Sequence, residues 1–106
     1  FGIVTTSRDS IPELEEMARR YGYGASCRSV RSCDVEIADL NRPEVYPLIR
    51  EAANACLGDG AEILLLGCAG LAETAVRLRF ETGAPVVEGV AAATRIVEWL
   101  VKARAR

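Results

Sequence analysis

The chain has 106 residues, of which 50% are hydrophobic, and a formal net charge of −2. A chain of this length suits one domain that buries roughly 60–70% of the surface it exposes when unfolded. The charge gives no electrostatic basis for binding nucleic acid or an anionic membrane, and no segment approaches the ~18 uninterrupted apolar residues of a membrane span. We therefore expect one globular domain without a nucleic-acid or membrane partner.

Four cysteines and no histidine limit the chemistry of the chain. The cysteines form no Cys-x-x-Cys pair, which argues against a zinc site and a thioredoxin-type motif. The hydrophobic content is too high for a small domain held by disulfides, which favours reduced thiols and a cytoplasmic location. Without histidine, the chain has no residue of the type that usually serves as the base of a Ser or Cys hydrolase. Catalysis would therefore rest on a thiol, a carboxylate or the backbone.

The first half of the chain opens with a strand and a helix. Gly2 to Thr6 is typical of a buried strand, and because the chain starts inside it without a methionine we expect a piece of a longer polypeptide. Ser10 and Glu13 form a capping-box pattern that predicts a helix start. The apolar residues that follow at helical spacing are Ile11, Leu14, Met17, Ala18 and Tyr21. Ser26 to Ser32 predicts a second strand, at a sheet edge because it carries two arginines.

A second helix and a third strand follow. Val35 to Leu40 is predicted to be extended, and Asn41 and Pro43 mark the next helix start. The apolar face of this helix consists of Val45, Leu48, Ile49, Ala52 and Cys56, so Cys56 is interpreted as a buried structural thiol. Ile63 to Leu66 is apolar at every residue, as expected of a strand in a parallel sheet with helices on both faces.

The last part predicts one more strand between two helices. Gly70 to Thr82 is the third helix, and Val86 to Glu88 is a short fourth strand. From Gly89 onward the fourth helix carries an apolar side formed by Val90, Ala93, Val97, Leu100 and Val101. The alternation predicts an α/β fold, with a four-stranded parallel sheet in the order 2-1-3-4 and helices on both faces, as in a flavodoxin-like lobe.

The predicted strand order places one cysteine at the functional edge of the sheet. In open α/β sheets, ligands bind beyond the carboxyl ends of the strands, where the strand order reverses. Thr5 and Thr6 would then lie beside Cys68, Ala69 and Gly70. A cysteine before a helix N-terminus is favoured as thiolate, and the amides there can hold an anion or a developing enolate. Cys68 is therefore a candidate base, with a structural thiol that ends a buried strand as the alternative.

Two motifs resemble a known family. Leu66 to Ala72 (LGCAGLA) and Pro85 to Ala93 (PVVEGVAAA) resemble the C-terminal half of hydantoin racemases, which belong to the Asp/Glu racemase superfamily together with allantoin racemases. Phe1 to Thr6 resembles the strand that opens the second domain of those enzymes. The resemblance implies a cofactor-independent racemase with two pseudo-symmetric α/β lobes. Each lobe supplies one cysteine, so that one thiolate removes a proton and the opposite thiol returns one.

Carried onto this chain, the resemblance makes Cys68 one of the two acid/base thiols and implies no metal. The substrate-binding positions it implies are Thr5, Thr6, Ala69, Gly70, Gly89 and Val90. The substrate would be a small molecule with an acidic C–H next to a carbonyl: a hydantoin, allantoin or an amino acid. Glu88 stands where these enzymes usually carry Asp.

The resemblance also sets expectations for the chain as a whole. Residues 1–106 would form the second lobe, with the first lobe and its cysteine missing. We therefore expect that the chain alone does not racemise a substrate. We also expect that the apolar side of the last helix promotes formation of a homo-oligomer.

Two other functions fit the same residues. A decarboxylase or isomerase of the arylmalonate or maleate type would need a single proton-donating cysteine. A non-catalytic flavodoxin-like interaction domain would keep Cys68 in the core. These alternatives differ in the reactivity of the thiol, since a thiolate at a helix terminus is alkylated well before a buried cysteine.

Overall fold

The computed structural model describes residues 1–105 and contains one parallel sheet. Its strands are β1 (Gly2–Thr5), β2 (Ser29–Ser32), β3 (Leu64–Leu66) and β4 (Val86–Glu88), in the order β2-β1-β3-β4. All three pairings are parallel. The predicted strand order is therefore confirmed, and the arginine-bearing strand β2 lies at an edge.

Four α-helices connect or follow the strands. They are α1 (Ile11–Arg20), α2 (Tyr46–Gly58), α3 (Ala75–Thr82) and α4 (Gly89–Arg104). Short 3₁₀ segments cover Arg8–Ser10, Ile37–Asp39 and Ala69–Thr74. No helix in the described part of the chain is long and apolar enough to cross a membrane.

The core lies between the sheet and the helices α2 and α3. Val4, Leu64, Ile49 and Leu78 are fully buried there. Cys56 is also fully buried, and its thiol donates to the Ile3 carbonyl at 3.5 Å. The interpretation of Cys56 as a structural thiol is confirmed.

The local structure differs from the sequence predictions in four places. The second helix α2 begins at Tyr46, and the predicted start at Asn41 and Pro43 lies in a turn over residues 41–45, because a proline disfavours helical backbone at the residue before it. Ser10 precedes α1, but its side chain does not cap the helix, because its hydroxyl donates to the Ser7 carbonyl at 2.7 Å. The stretch predicted to be extended contains the 3₁₀ segment Ile37–Asp39. The third helix begins as the 3₁₀ segment Ala69–Thr74 and becomes α-helical only at Ala75.

The apolar faces of two helices are more exposed than expected. Met17 and Tyr21 are exposed on α1, where Ala18 is the buried residue. On α4 no residue is buried, and Val90, Val97 and Val101 are each more than half exposed. The fourth helix therefore exists as predicted, but within the described chain nothing covers its apolar side.

Candidate active site

The carboxyl ends of three strands meet at one edge of the sheet. The register pairs Val4 of β1 with Leu66 of β3, and Leu66 with Glu88 of β4. The residues that follow these positions therefore leave the sheet side by side. They include most of the residues singled out in the sequence.

Cys68 lies at this edge two residues after β3. Its backbone is extended (φ −138°, ψ 129°), and its carbonyl accepts from the Leu71 amide at 3.0 Å as the 3₁₀ segment begins. The side chain is partly exposed. It lines a groove of about 560 Å³ together with Ala69, Gly89 and Val90. Four of the seven predicted site residues therefore share one groove.

The other three predicted residues lie beside this groove. Thr6 lines a neighbouring depression of about 320 Å³, and Gly70 lines a third one of about 240 Å³. Thr5 is buried, and its hydroxyl oxygen lies 2.8 Å from the Ser10 hydroxyl oxygen. Of the two threonines, only Thr6 faces an open depression.

Glu88 caps the amino end of α4. Its carboxylate accepts hydrogen bonds from the backbone amides of Val90, at 3.3 Å, and Ala91. The carboxylate thus accepts from two of the backbone N–H groups that the start of the helix would otherwise present to a bound anion. Any oxyanion that binds at Val90 must displace or share this cap.

The remaining thiols are in different environments from Cys68. Cys33 and Cys56 are buried, and burial is the main cause that raises the pKa of each thiol. Burial likewise raises the pKa of the partly buried Cys27, which lies before β2 at the amino end of the strands. Since a reactive cysteine needs access and thiolate character, Cys68 is the best-placed candidate.

Ile37 lies near the candidate site and was not among the residues predicted from the sequence. A Cβ atom placed on Gly70 would lie 3.6 Å from the Cys68 sulfur and 3.8 Å from Cγ2 of Ile37. Ile37 also lines the same depression as Thr6. The sequence signal was limited to local structure, because the three-residue spacing of Ile37 and Leu40 fits one helical turn better than a strand.

Comparisons with known proteins agree with this arrangement. A family model described as Asp/Glu/Hydantoin racemase matches residues 1–97. The chain belongs to the Asp/Glu/hydantoin racemase family. The hydantoin racemase of Rhizobium meliloti is 38% identical over 107 aligned residues, which cover 97% of this chain and 44% of that protein. A hydantoin racemase of Pseudomonas sp. (strain NS671) is 36% identical, over 95% of this chain and 42% of that protein.

Solved structures of family members have the same fold. The allantoin racemase of Klebsiella pneumoniae superposes with a TM-score of 0.89 at 31% identity, over 96% of this chain and 43% of that chain. The allantoin racemase AllR of Pseudomonas fluorescens gives a TM-score of 0.86 at 36% identity, over 96% and 45%. This racemase-family chain thus spans less than half the length of the relatives it matches.

Proposed function

We propose that the chain is the second lobe of a cofactor-independent racemase, with Cys68 as one of its two proton-transferring thiols. The single observation that carries the proposal is the place of Cys68: a partly exposed thiol in a groove at the strand ends, shared with Ala69, Gly89 and Val90. The substrate would be a small molecule with an acidic C–H next to a carbonyl, as in a hydantoin or allantoin.

The reaction needs an acid and a base on opposite faces of one carbon. Cys68 as thiolate would take the proton, so that the C–H bond breaks, an S–H bond forms and the electron pair delocalises onto the carbonyl oxygen as an enolate. A second thiol on the other face would then donate its proton to the same carbon. The stereocentre is inverted and the two sulfurs exchange protonation states, which suits groups that act as either acid or base near neutral pH.

The second thiol would come from the first lobe. Cys33 and Cys56 are buried, and Cys27 precedes β2, at the end of the sheet opposite to Cys68. None of these three lines the groove that holds Cys68. The proposal therefore includes a first lobe that closes over Cys68, and it implies that the chain alone does not racemise.

The substrate-binding roles belong to the same proposal. The small residues Ala69, Gly70 and Gly89 are exposed, so a ligand can approach the backbone closely. Thr6 carries a hydroxyl in the neighbouring depression, and the Val90 amide, which donates to the Glu88 carboxylate, lies in the groove of Cys68; a substrate could use both as hydrogen-bonding groups. They suit a planar ring that carries carbonyl and N–H groups.

A chimera tests the function. This chain replaces the matched segment of the Rhizobium meliloti hydantoin racemase, and loss of optical rotation of an enantiopure 5-substituted hydantoin is followed. We expect racemisation, with deuterium from D₂O incorporated at the stereocentre. Cys68→Ser should lower the rate by roughly 10²–10⁴-fold, as for the loss of a general acid or base.

Cys27→Ser is the matched control, because this thiol lies near the amino ends of the strands and should be dispensable. Full activity of the Cys68→Ser chimera would contradict the role of Cys68. A folded chimera that neither racemises nor exchanges deuterium would favour a non-catalytic domain.

A further inference from the structure

Ile37 is an unusual side chain for its position. It lies on the 3₁₀ segment Ile37–Asp39, and 66% of its surface is exposed. Most residues that share its depression are polar or charged: Thr6, Ser7, Arg8, Asp9, Asp34 and Glu36. Exposure of a large aliphatic side chain to water in such a polar rim is unfavourable. An apolar contact partner would explain why isoleucine occupies this position.

The surroundings of Gly70 place Ile37 beside the thiol. A Cβ atom on Gly70 would lie 2.8 Å from Cδ1 of Leu40, 3.6 Å from the Cys68 sulfur and 3.8 Å from Cγ2 of Ile37. The two aliphatic side chains and the sulfur therefore converge on one small space, which glycine leaves open. Leu40 is partly buried and packs against the core, whereas Ile37 points to the open side.

The turn that carries Ile37 is held by specific hydrogen bonds. Asp34 adopts a left-handed conformation (φ 54°), and its carboxylate accepts from the hydroxyl of Ser32 and the guanidinium of Arg8, both at 2.8 Å. The Val35 amide then donates to the Thr6 carbonyl at 3.0 Å. These contacts tie the start of the turn to the end of β1, and so fix the distance between Ile37 and the strand ends.

We propose that Ile37 is a specificity-determining residue, which together with Leu40 forms an apolar wall beside Cys68 and selects ligands with an apolar substituent. This inference rests on the proposed function for the role of Cys68. An apolar group that leaves water against this wall gains about threefold to fourfold in affinity per buried methylene. A polar substituent at the same place would lose hydrogen bonds to water without replacing them.

Alkylation of Cys68 by two maleimides tests the wall in the full chain. The maleimide ring is a planar five-membered imide, and N-methyl- and N-butylmaleimide differ only in apolar length. Second-order rate constants at Cys68 are measured by mass spectrometry, and their ratio is divided by the same ratio for N-acetylcysteine. We expect the wild-type chain to favour N-butylmaleimide by about tenfold after this correction, which corresponds to burial of roughly two of the three additional methylenes.

Three variants separate the contribution of Ile37 from other effects. Ile37→Ala should bring the corrected ratio close to one, and Ile37→Leu should retain the preference. Val76→Ala is the matched control, because Val76 is a β-branched residue that is 70% exposed on α3. This control should leave the ratio unchanged.

The outcomes distinguish the two proposals. A reactive Cys68 whose ratio is the same in wild type and Ile37→Ala overturns the role of Ile37 and leaves the proposed function intact. A Cys68 that reacts no faster than the buried Cys56 contradicts both. A preference that disappears equally in Val76→Ala also overturns the inference, since it would then reflect a general change in the fold.

Discussion

At the scale of single residues, Glu88 links the sheet to the site. It is the last residue of β4 and the N-cap of α4, and its carboxylate accepts from the Val90 and Ala91 amides. A carboxylate at this position satisfies free amides and interacts favourably with the helix dipole. Val90 lines the same groove as Cys68, so Glu88 also limits which anions can bind there.

The cap can be removed by truncating the Glu88 side chain, which leaves the backbone of β4 in place. Glu88→Ala should weaken the first turn of α4 by about 1 kcal/mol, the usual value for a lost N-cap. Hydrogen exchange of the Val90 and Ala91 amides should then be about fivefold faster. Glu98→Ala, on the same helix but paired with Lys102, is the control and should leave these amides unchanged. Unchanged exchange in Glu88→Ala would mean that the cap does not persist in solution.

At the scale of elements, the sheet and α2 approach each other closely at Gly2. A Cβ atom at this position would lie 2.7 Å from Cβ of Cys56 and 3.1 Å from Cβ of Ala61. Atoms so near the backbone cannot move aside by rotating a side chain. Glycine is therefore required at the start of β1 by packing, not by a turn.

Substitution of this glycine should be costly. Gly2→Ala should lower the free energy of unfolding by about 1–3 kcal/mol through overpacking, measured by urea denaturation. Gly58 at the end of α2 is the control, because no atom lies within 4 Å of its Cβ position. Gly58→Ala should leave stability unchanged or raise it by about 0.4–1 kcal/mol. Equal changes in the free energy of unfolding for the two substitutions would contradict the close approach of β1 to α2.

The helices α2 and α3 are joined by one carboxylate. Glu81 of α3 accepts from Arg50 of α2 at 3.0 Å and from Arg77 at 2.7 Å. The pKa of Glu81 is lowered below its ordinary value of 4.5, first by the Tyr46 hydroxyl and then by these two arginines. Because the folded state binds the proton of Glu81 less tightly than the unfolded chain, the ionised carboxylate stabilises the fold.

This stabilisation should depend on pH. It is fully present above the ordinary pKa of Glu81 and is lost as the pH falls through the lowered pKa of the folded state. Glu81→Gln should therefore lower the urea midpoint at pH 7, and this effect should shrink as the pH falls and the wild-type carboxylate is protonated. A Glu98→Gln control, which removes a carboxylate that pairs with Lys102 on α4, should show no such difference. A constant effect of Glu81→Gln across this range would exclude the ion-pair explanation.

Particular elements show how far the sequence predicts this fold. The all-apolar run before Cys68 predicts a buried strand of a parallel sheet, because burial on both faces leaves a local pattern. The strand order does not follow from such a pattern and was predicted from the alternation of strands and helices in a flavodoxin-like lobe. Ser10 was predicted to be a cap, yet a tertiary contact with the end of β1 takes its hydroxyl. Ile37 could not be assigned from its own segment, since its place depends on Gly70, which is 33 positions away along the printed sequence.

At the scale of the whole molecule, the chain is elongated because α4 projects from the sheet. Its principal extents are 48 × 31 × 26 Å, and its radius of gyration is 14.4 Å, compared with about 13 Å for a compact domain of 100 residues. No residue of α4 is buried, and Val90, Val97 and Val101 follow one another on one side at helical spacing. A continuous apolar stripe of this kind favours association.

The stripe predicts that two copies of this chain associate in solution. Sedimentation velocity over a concentration series should show a shift from monomer to a larger species. In a symmetric pair each substitution occurs twice, so Val97→Glu should weaken association by at least about tenfold, through lost burial and an added buried charge. Val76→Glu places the same charge on α3, outside the stripe, and should leave association unchanged. A wild-type chain that sediments as a monomer at every concentration would show that α4 is exposed in solution and that its apolar side does not drive self-pairing.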